Sequence, residues 1–246
     1  MKTLSSSKIA VILLTLIAVV LGGFAVASPA RAENLLAKKL AKSFGSTPVT
    51  GQAADAAVSE VSSAAALTLA FGKDQASAEA LERAQAFIDS VANGNAAQIT
   101  GLYSAEHFAF PVTGQPSGSP GYVSNNDNEV TRFGMATEYG SRGFLAHNYL
   151  AGAKFFELSV GEVFTLVYGD GSTEDVRIES IQQYQALSPN SPYSSFIDLA
   201  TGEQLSATSL FYKIYNNENY VVLQTCIEQD GLSTWGRLFA VAVPLS

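Results

Sequence analysis

The sequence predicts a mainly β domain, a barrel or sandwich of many short strands, carried behind an Ala-rich helical segment and an N-terminal export signal. Three observations lead there. From about Gln98 onward, apolar runs rich in Val, Ile, Phe and Tyr alternate with clusters of Gly, Pro, Asn and Ser, the texture of strands joined by turns. Residues 33–97 are a different material, rich in Ala, Ser, Lys and Gln. Residues 1–32 open with Lys2 and Lys8, run apolar from Ile9 to Ala27 and reach the small-x-small tripeptide Ala30-Arg31-Ala32, the pattern of a secretory signal. The apolar run is 19 residues long, near the lower limit for crossing a bilayer, so an uncleaved membrane anchor is the alternative. Both readings put the rest of the chain outside the cytoplasm.

Composition narrows the function classes. Hydrophobic residues make up 47% of the chain and charged ones 15%, which supports a packed core in a chain of 246 residues. Losing residues 1–32 would remove Lys2, Lys8 and Arg31 and no acid, leaving 11 basic residues against 22 acidic ones. An acidic chain of this kind argues against nucleic acid, whose phosphates call for Lys and Arg clusters. The single cysteine excludes an internal disulfide, and an unpaired thiol in an exported protein is either reactive or intermolecular.

Along the chain, Glu33–Ser43 is a short amphipathic helix or a tether, and Ala54–Ala70 is an Ala-rich helical stretch. The clearest helix spans about Gln75–Ala92, with Asp74 to cap it and Asn93-Gly94 to end it. Its face of Leu81, Ala84, Ile88 and Val91 is expected to pack on the β domain. That domain, 98–246, begins with β-like Gln98–Val112 and a loop at Gly114–Gly121. The patch Asn125–Asn128 has too few acids for calcium and reads as Asx turn chemistry. Phe133–Tyr139 is a short helix or turn before a strand at Gly143. Val163–Tyr168, the turn Gly169-Asp170-Gly171 and Asp175–Ile181 form a hairpin. The facing of its second strand is untidy, since Ile181 falls out of step with Val176 and Ile178. Ser188–Pro192 is a loop and Ser206–Ile214 a short helix. The runs Tyr220–Leu223 and Leu238–Val243 are two closing antiparallel strands, separated by a polar loop containing Gly231 and Gly236.

That last pair carries the chemistry. Antiparallel pairing sets Cys226 at the end of one strand beside Arg237 at the start of the next. A thiol attacks as its thiolate, and a free cysteine has a pKa of about 8.5, so a base or positive charge is needed nearby. His147, ending the apolar run Gly143–Ala146 ahead of a Gly-containing segment, is the candidate base; His107, among aromatics, is read as structural. Arg237 offers five donors to an oxygen on which negative charge develops. Each residue alone has a structural reading, because buried cysteines are commonly small hydrophobes. Together they fit nucleophile, proton shuttle and oxyanion stabiliser of an acyl transfer.

These residues resemble the sortases. Leu223-Gln-Thr-Cys226 resembles the end of the sortase Thr-Leu-x-Thr-Cys strand, with Val222 in place of the leading Thr. Leu145-Ala-His147-Asn resembles the histidine segment, and Gly236-Arg237-Leu-Phe-Ala-Val-Ala the arginine strand. The likeness covers roughly Leu102–Leu245. It implies an eight-stranded β-barrel with short helices and an exported cysteine transpeptidase. Cys226, His147 and Arg237 would then be catalytic, with Thr225 and Asn148 near the substrate. The implied partners are exported proteins bearing a sorting-type peptide and an amine acceptor, with no cofactor and no metal. The end at Pro244-Leu-Ser246 lacks a hydrophobic tail, which argues against this chain being a sorting substrate. Two other readings stand beside this one: a hydrolytic thiol peptidase, and a non-catalytic barrel that binds surface polymers or peptides.

Overall fold

A computed structural model describes residues 77–191 and 193–245, and those from Leu81 onward form one compact unit. The export signal and the segments at 33–43 and 54–70 lie outside the described residues. Helix α1 covers 77–91, within the span its stop signals suggest. The docking face keeps Ala84, Ile88 and Val91 of the expected stripe, all part-buried, but not Leu81. Leu81 is 72% exposed. Phe87 leads instead, its ring 5.9 Å from that of Tyr103. Phe87 and Val91 close over Gly101, where a Cβ would lie 2.8 Å from Phe87 Cε1. The bulkiest apolar side chain of the helix sets its rotation, and the missing Gly101 side chain supplies the slot.

The strands that follow are β1 (Ile99–Ser104), β2 (Phe108–Gly114), β3 (Val130–Phe133), β4 (Arg142–Leu145) and β5 (Val163–Tyr168). After them come β6 (Thr173–Ala186), β7 (Phe196–Asp198), β8 (Gln204–Leu205), β9 (Val221–Gln229) and β10 (Leu232–Pro244). Hydrogen bonding runs in the order β10-β9-β4-β3-β2-β1-β5-β6, and β6 pairs back onto β10. The result is a closed eight-stranded barrel, mainly β with short helices. The hairpin β7–β8 extends β6 outside the ring. Two neighbours are parallel, β2 with β3 and β4 with β9. Closure leaves no free edge among the eight strands.

Strand alternation separates two apolar clusters. Leu102, Phe110, Phe144, Leu166, Leu223 and Ala240 point into the barrel. Leu145, Tyr184, Val222, Phe239 and Val241 point outward and are covered by helix α3 (Ala207–Tyr215) through Leu210, Phe211, Ile214 and Tyr215. Ser206 caps α3 by accepting from the Ser209 amide at 3.1 Å. Helix α2 (Gly134–Glu138) fills the link from β3 to β4. The untidy facing of β6 has a cause. Pairing with β10 shifts between Val241/Ser180 and Ala242/Ile178, a bulge at Glu179. The extra residue reverses the alternation, so Val176, Ile178 and Ile181 all face inward, and Tyr184 and Ala186 face out.

The barrel mouth beyond β4 is stoppered by a 3-10 helix, Ala151–Phe156, which sends Ala151 and Phe155 into the inner cluster. The Phe155 ring packs edge-on to Phe108 at 6.5 Å. Where β4 starts, Arg142 donates to Glu174, which also accepts from the Tyr168 hydroxyl at 2.6 Å. Burial raises the Glu174 carboxyl while these two donors lower it, and the outcome is below the ordinary carboxylate value. Phe155→Ala should cost about 3–5 kcal/mol of stability, the usual range for emptying an aromatic core site, read as a lowered urea midpoint at unchanged slope.

Candidate functional site

The closing strands form a tighter hairpin than the sequence suggests. In place of a polar loop, the strands run on to a two-residue turn, Asp230 (φ 53°) and Gly231 (φ 77°). Consecutive positive φ values match the twist of a right-handed hairpin, and Asp-Gly is the dipeptide that tolerates them. Cys226 and Arg237 therefore lie within strands, not at strand ends. They are direct cross-strand partners on β9 and β10. Arg237 is in turn paired with Tyr184 on β6, and Tyr184 with Asp198 on β7.

β4 runs parallel to β9, with Leu145 beside Gln224. The pairing continues one residue further, as the Ala146 amide donates to the Gln224 carbonyl at 3.1 Å. β4 itself ends at Leu145, and His147 follows two residues beyond it, just past this last bond to β9. Face follows from alternation: Phe144 and Ala146 belong to the inner cluster and Leu145 to the outer one. Cys226 and Arg237 thus share one row on the outer side of the barrel wall, and the same alternation extrapolated two residues past β4 carries His147 toward that row. On β9 the neighbouring outward residue, Gln224, accepts from the Tyr215 hydroxyl at 2.6 Å.

Thr225 departs from expectation. One position from Cys226, it has the opposite face, is 2% exposed, and donates its hydroxyl to the Ala146 carbonyl at 2.9 Å. It fastens the histidine turn from inside the wall and does not face the outer row. Gly152 completes the turn by donating to the His147 carbonyl at 3.0 Å. A Cβ on Gly152 would collide with Thr225 Oγ1 and lie 2.7 Å from the His147 carbonyl oxygen and 2.9 Å from that of Ala146. Asn148 donates Nδ2 to the Ser233 carbonyl at 3.2 Å.

All three residues are buried: Cys226 is 3% exposed, His147 5% and Arg237 1%. Burial pushes the Cys226 thiol up, and the Arg237 guanidinium pulls it part of the way back. Burial pushes the His147 imidazole down, and the Val123 backbone opposes it more weakly. His147 Nδ1 makes no hydrogen bond of ordinary geometry. Both shifts favour the uncharged form of the group concerned. Arg237 Nη1 donates to the carbonyls of Thr234 at 3.0 Å and Gly236 at 2.8 Å, which orients the guanidinium.

Three neighbours escape sequence reasoning. The Tyr149 ring stacks on His147 at 5.2 Å and is 55% exposed, a roof over the imidazole. Tyr184 backs Arg237, and the stretch Ser233–Trp235 bulges out of register with β9. Long-range register brings Tyr184 and the bulge here, whereas Tyr149 is local, two residues past His147 in the same turn. His107 is apart from the row, its Nδ1 3.6 Å from Glu157 and its Nε2 3.2 Å from Glu162. Among the described residues no group of three or more His, Cys, Asp or Glu could hold a metal ion.

No family model and no curated protein matches the chain. Solved structures similar to it include sortase C-1 from Actinomyces oris, at 11% identity over 59% of this chain and 71% of that one, with a TM-score of 0.40. Listeria monocytogenes sortase A has 10% identity over 60% of this chain and 87% of that one, TM-score 0.38. A Clostridium perfringens sortase C solved with the C-terminal cell wall sorting motif has 14% identity over 63% and 74%, TM-score 0.37. All three are sortases.

Two outcomes check this geometry. Gly152→Ala should lower stability by about 1–3 kcal/mol, because the methyl meets backbone and a buried hydroxyl, measured by thermal denaturation. Alkylation of Cys226 should inflect at a pH above the ordinary thiol value of about 8.5, and Arg237→Gln should move the inflection higher still.

Proposed function

We propose that the chain is an exported cysteine transpeptidase of the sortase type, cleaving a sorting-type peptide through a thioacyl intermediate and passing it to an amine. The observation that carries the reading is the direct cross-strand pairing of Cys226 with Arg237, next to the parallel strand β4 whose continuation bears His147. The sequence motifs around each residue support it independently.

Cys226 Sγ attacks the carbonyl carbon of the scissile peptide bond, and its proton passes to His147. The carbonyl π electrons move onto oxygen, where Arg237 stabilises the oxyanion. Collapse expels the amine, which takes the proton held by His147, and leaves a thioester on Cys226. An incoming amine gives a proton to His147, attacks the thioester carbonyl and releases the thiolate. Because burial raises the thiol and lowers the imidazole, the reactive thiolate–imidazolium pair is a minority form.

One observation favours the non-catalytic barrel: the thiol is 3% exposed, so a substrate must open the outer row to reach it. The experiment that decides uses a quenched sorting-type peptide with and without an amine. Cys226→Ala should abolish cleavage, His147→Ala should slow it by roughly 10²–10⁴-fold and Arg237→Ala by roughly 10²–10³-fold. Added amine should divert product to the new amide; release of free acid alone would make the protein a hydrolase. Undiminished turnover by Cys226→Ala would remove the proposal.

A further inference from the structure

The bulge Ser233–Trp235 gives two consecutive carbonyls to the two flanks of the site. The Ser233 carbonyl accepts from Asn148 Nδ2 at 3.2 Å. The Thr234 carbonyl accepts from Arg237 Nη1 at 3.0 Å. One short piece of backbone therefore tethers the histidine turn and the guanidinium together. The orientation of the Asn148 amide follows from chemistry, because only its NH₂ end can face a carbonyl. Its Oδ1 is then left buried without a hydrogen-bond partner. A half-satisfied buried amide is costly, and it persists here because its other half holds something in place.

We propose that Asn148 is a positioning residue for His147, clamping the imidazole turn to the β10 bulge and so to the strand that carries Arg237. This rests on the catalytic reading for its consequence but not for its geometry. Without the clamp, the turn is held by the Thr225 hydroxyl and by backbone bonds alone, from the Ala146 amide to Gln224 and from the Leu150 and Gly152 amides to the His147 carbonyl, none of which reaches the β10 bulge. The ring then swings from beneath Tyr149 into water. The groups recorded against the imidazole are Tyr149 above it and the Val123 backbone in the β2–β3 connection, and the nearest charged side chain across the neighbouring strands is Arg237, paired with Cys226.

The test is an NMR titration of the two histidines in the intact protein, with His107 as internal reference, for the native chain and for Asn148→Leu and Asn148→Gln. Leu keeps the shape and removes the donor; Gln keeps the donor. Asn148→Leu should raise the His147 midpoint toward the ordinary value of about 6.5 while leaving His107 unmoved, and Asn148→Gln should lie nearer native. Where the peptide assay is active, Asn148→Leu should also lower turnover by roughly tenfold or more, the scale of a misplaced catalytic group. A His147 midpoint that stays native in Asn148→Leu, or that moves as far in Asn148→Gln, overturns the clamp. Loss of the transpeptidase reading would register in the Cys226→Ala comparison and leave the titration result standing.

Discussion

The site depends on one constraint, the lateral register of β9. Held parallel to β4 on one side and antiparallel to β10 on the other, this strand determines which side chains meet. A slip of one residue would turn Cys226 into the barrel and bring Thr225 to the outer row. The inner hydroxyl bond from Thr225 to Ala146 resists such a slip, because it forms in one register only. Apolar packing reinforces the choice, with Leu223 in the inner cluster and Val222 in the outer.

Closure makes that constraint durable. Strand β10 pairs with both β9 and β6, so its outward residues have neighbours on two sides. Arg237 sits between Cys226 and Tyr184 and is buried by them and by the elements above. Burying a guanidinium is expensive unless its donors are met, and backbone carbonyls of the adjacent bulge meet Nη1. The same low-dielectric setting that keeps the thiol protonated strengthens the pull of that fixed charge on any anion formed beside it.

Much of the fold is legible in the sequence where local chemistry decides. The β5–β6 hairpin follows from Gly169-Asp170-Gly171, α3 from Ser206 and its apolar stripe, and the adjacency of Cys226 and Arg237 from antiparallel pairing. What is not legible is set at a distance. Phe87 joins the docking face of α1 because of the empty space above Gly101, while Leu81 alone of the expected stripe lies exposed. The inversion of facing along β6 depends on a bulge forced by β10. The polar composition of 228–236 suggests a loop because the tip of the hairpin, 228–232, projects from the sheet and is exposed on both faces. Thr225 reads as a site residue by nearness in sequence, yet strand alternation hides it.

The parallel pairing of β4 with β9 also orders events in time. Ala146 and Thr225, joined by a hydrogen bond, are separated by 79 positions in the chain. Contacts of such long range close late, after the local hairpins have formed. The imidazole must wait for a strand synthesised far behind it, and the guanidinium follows later still. The turn that bears His147 is therefore completed by segments made long after it, and its neighbourhood is one of the last parts of the barrel to close.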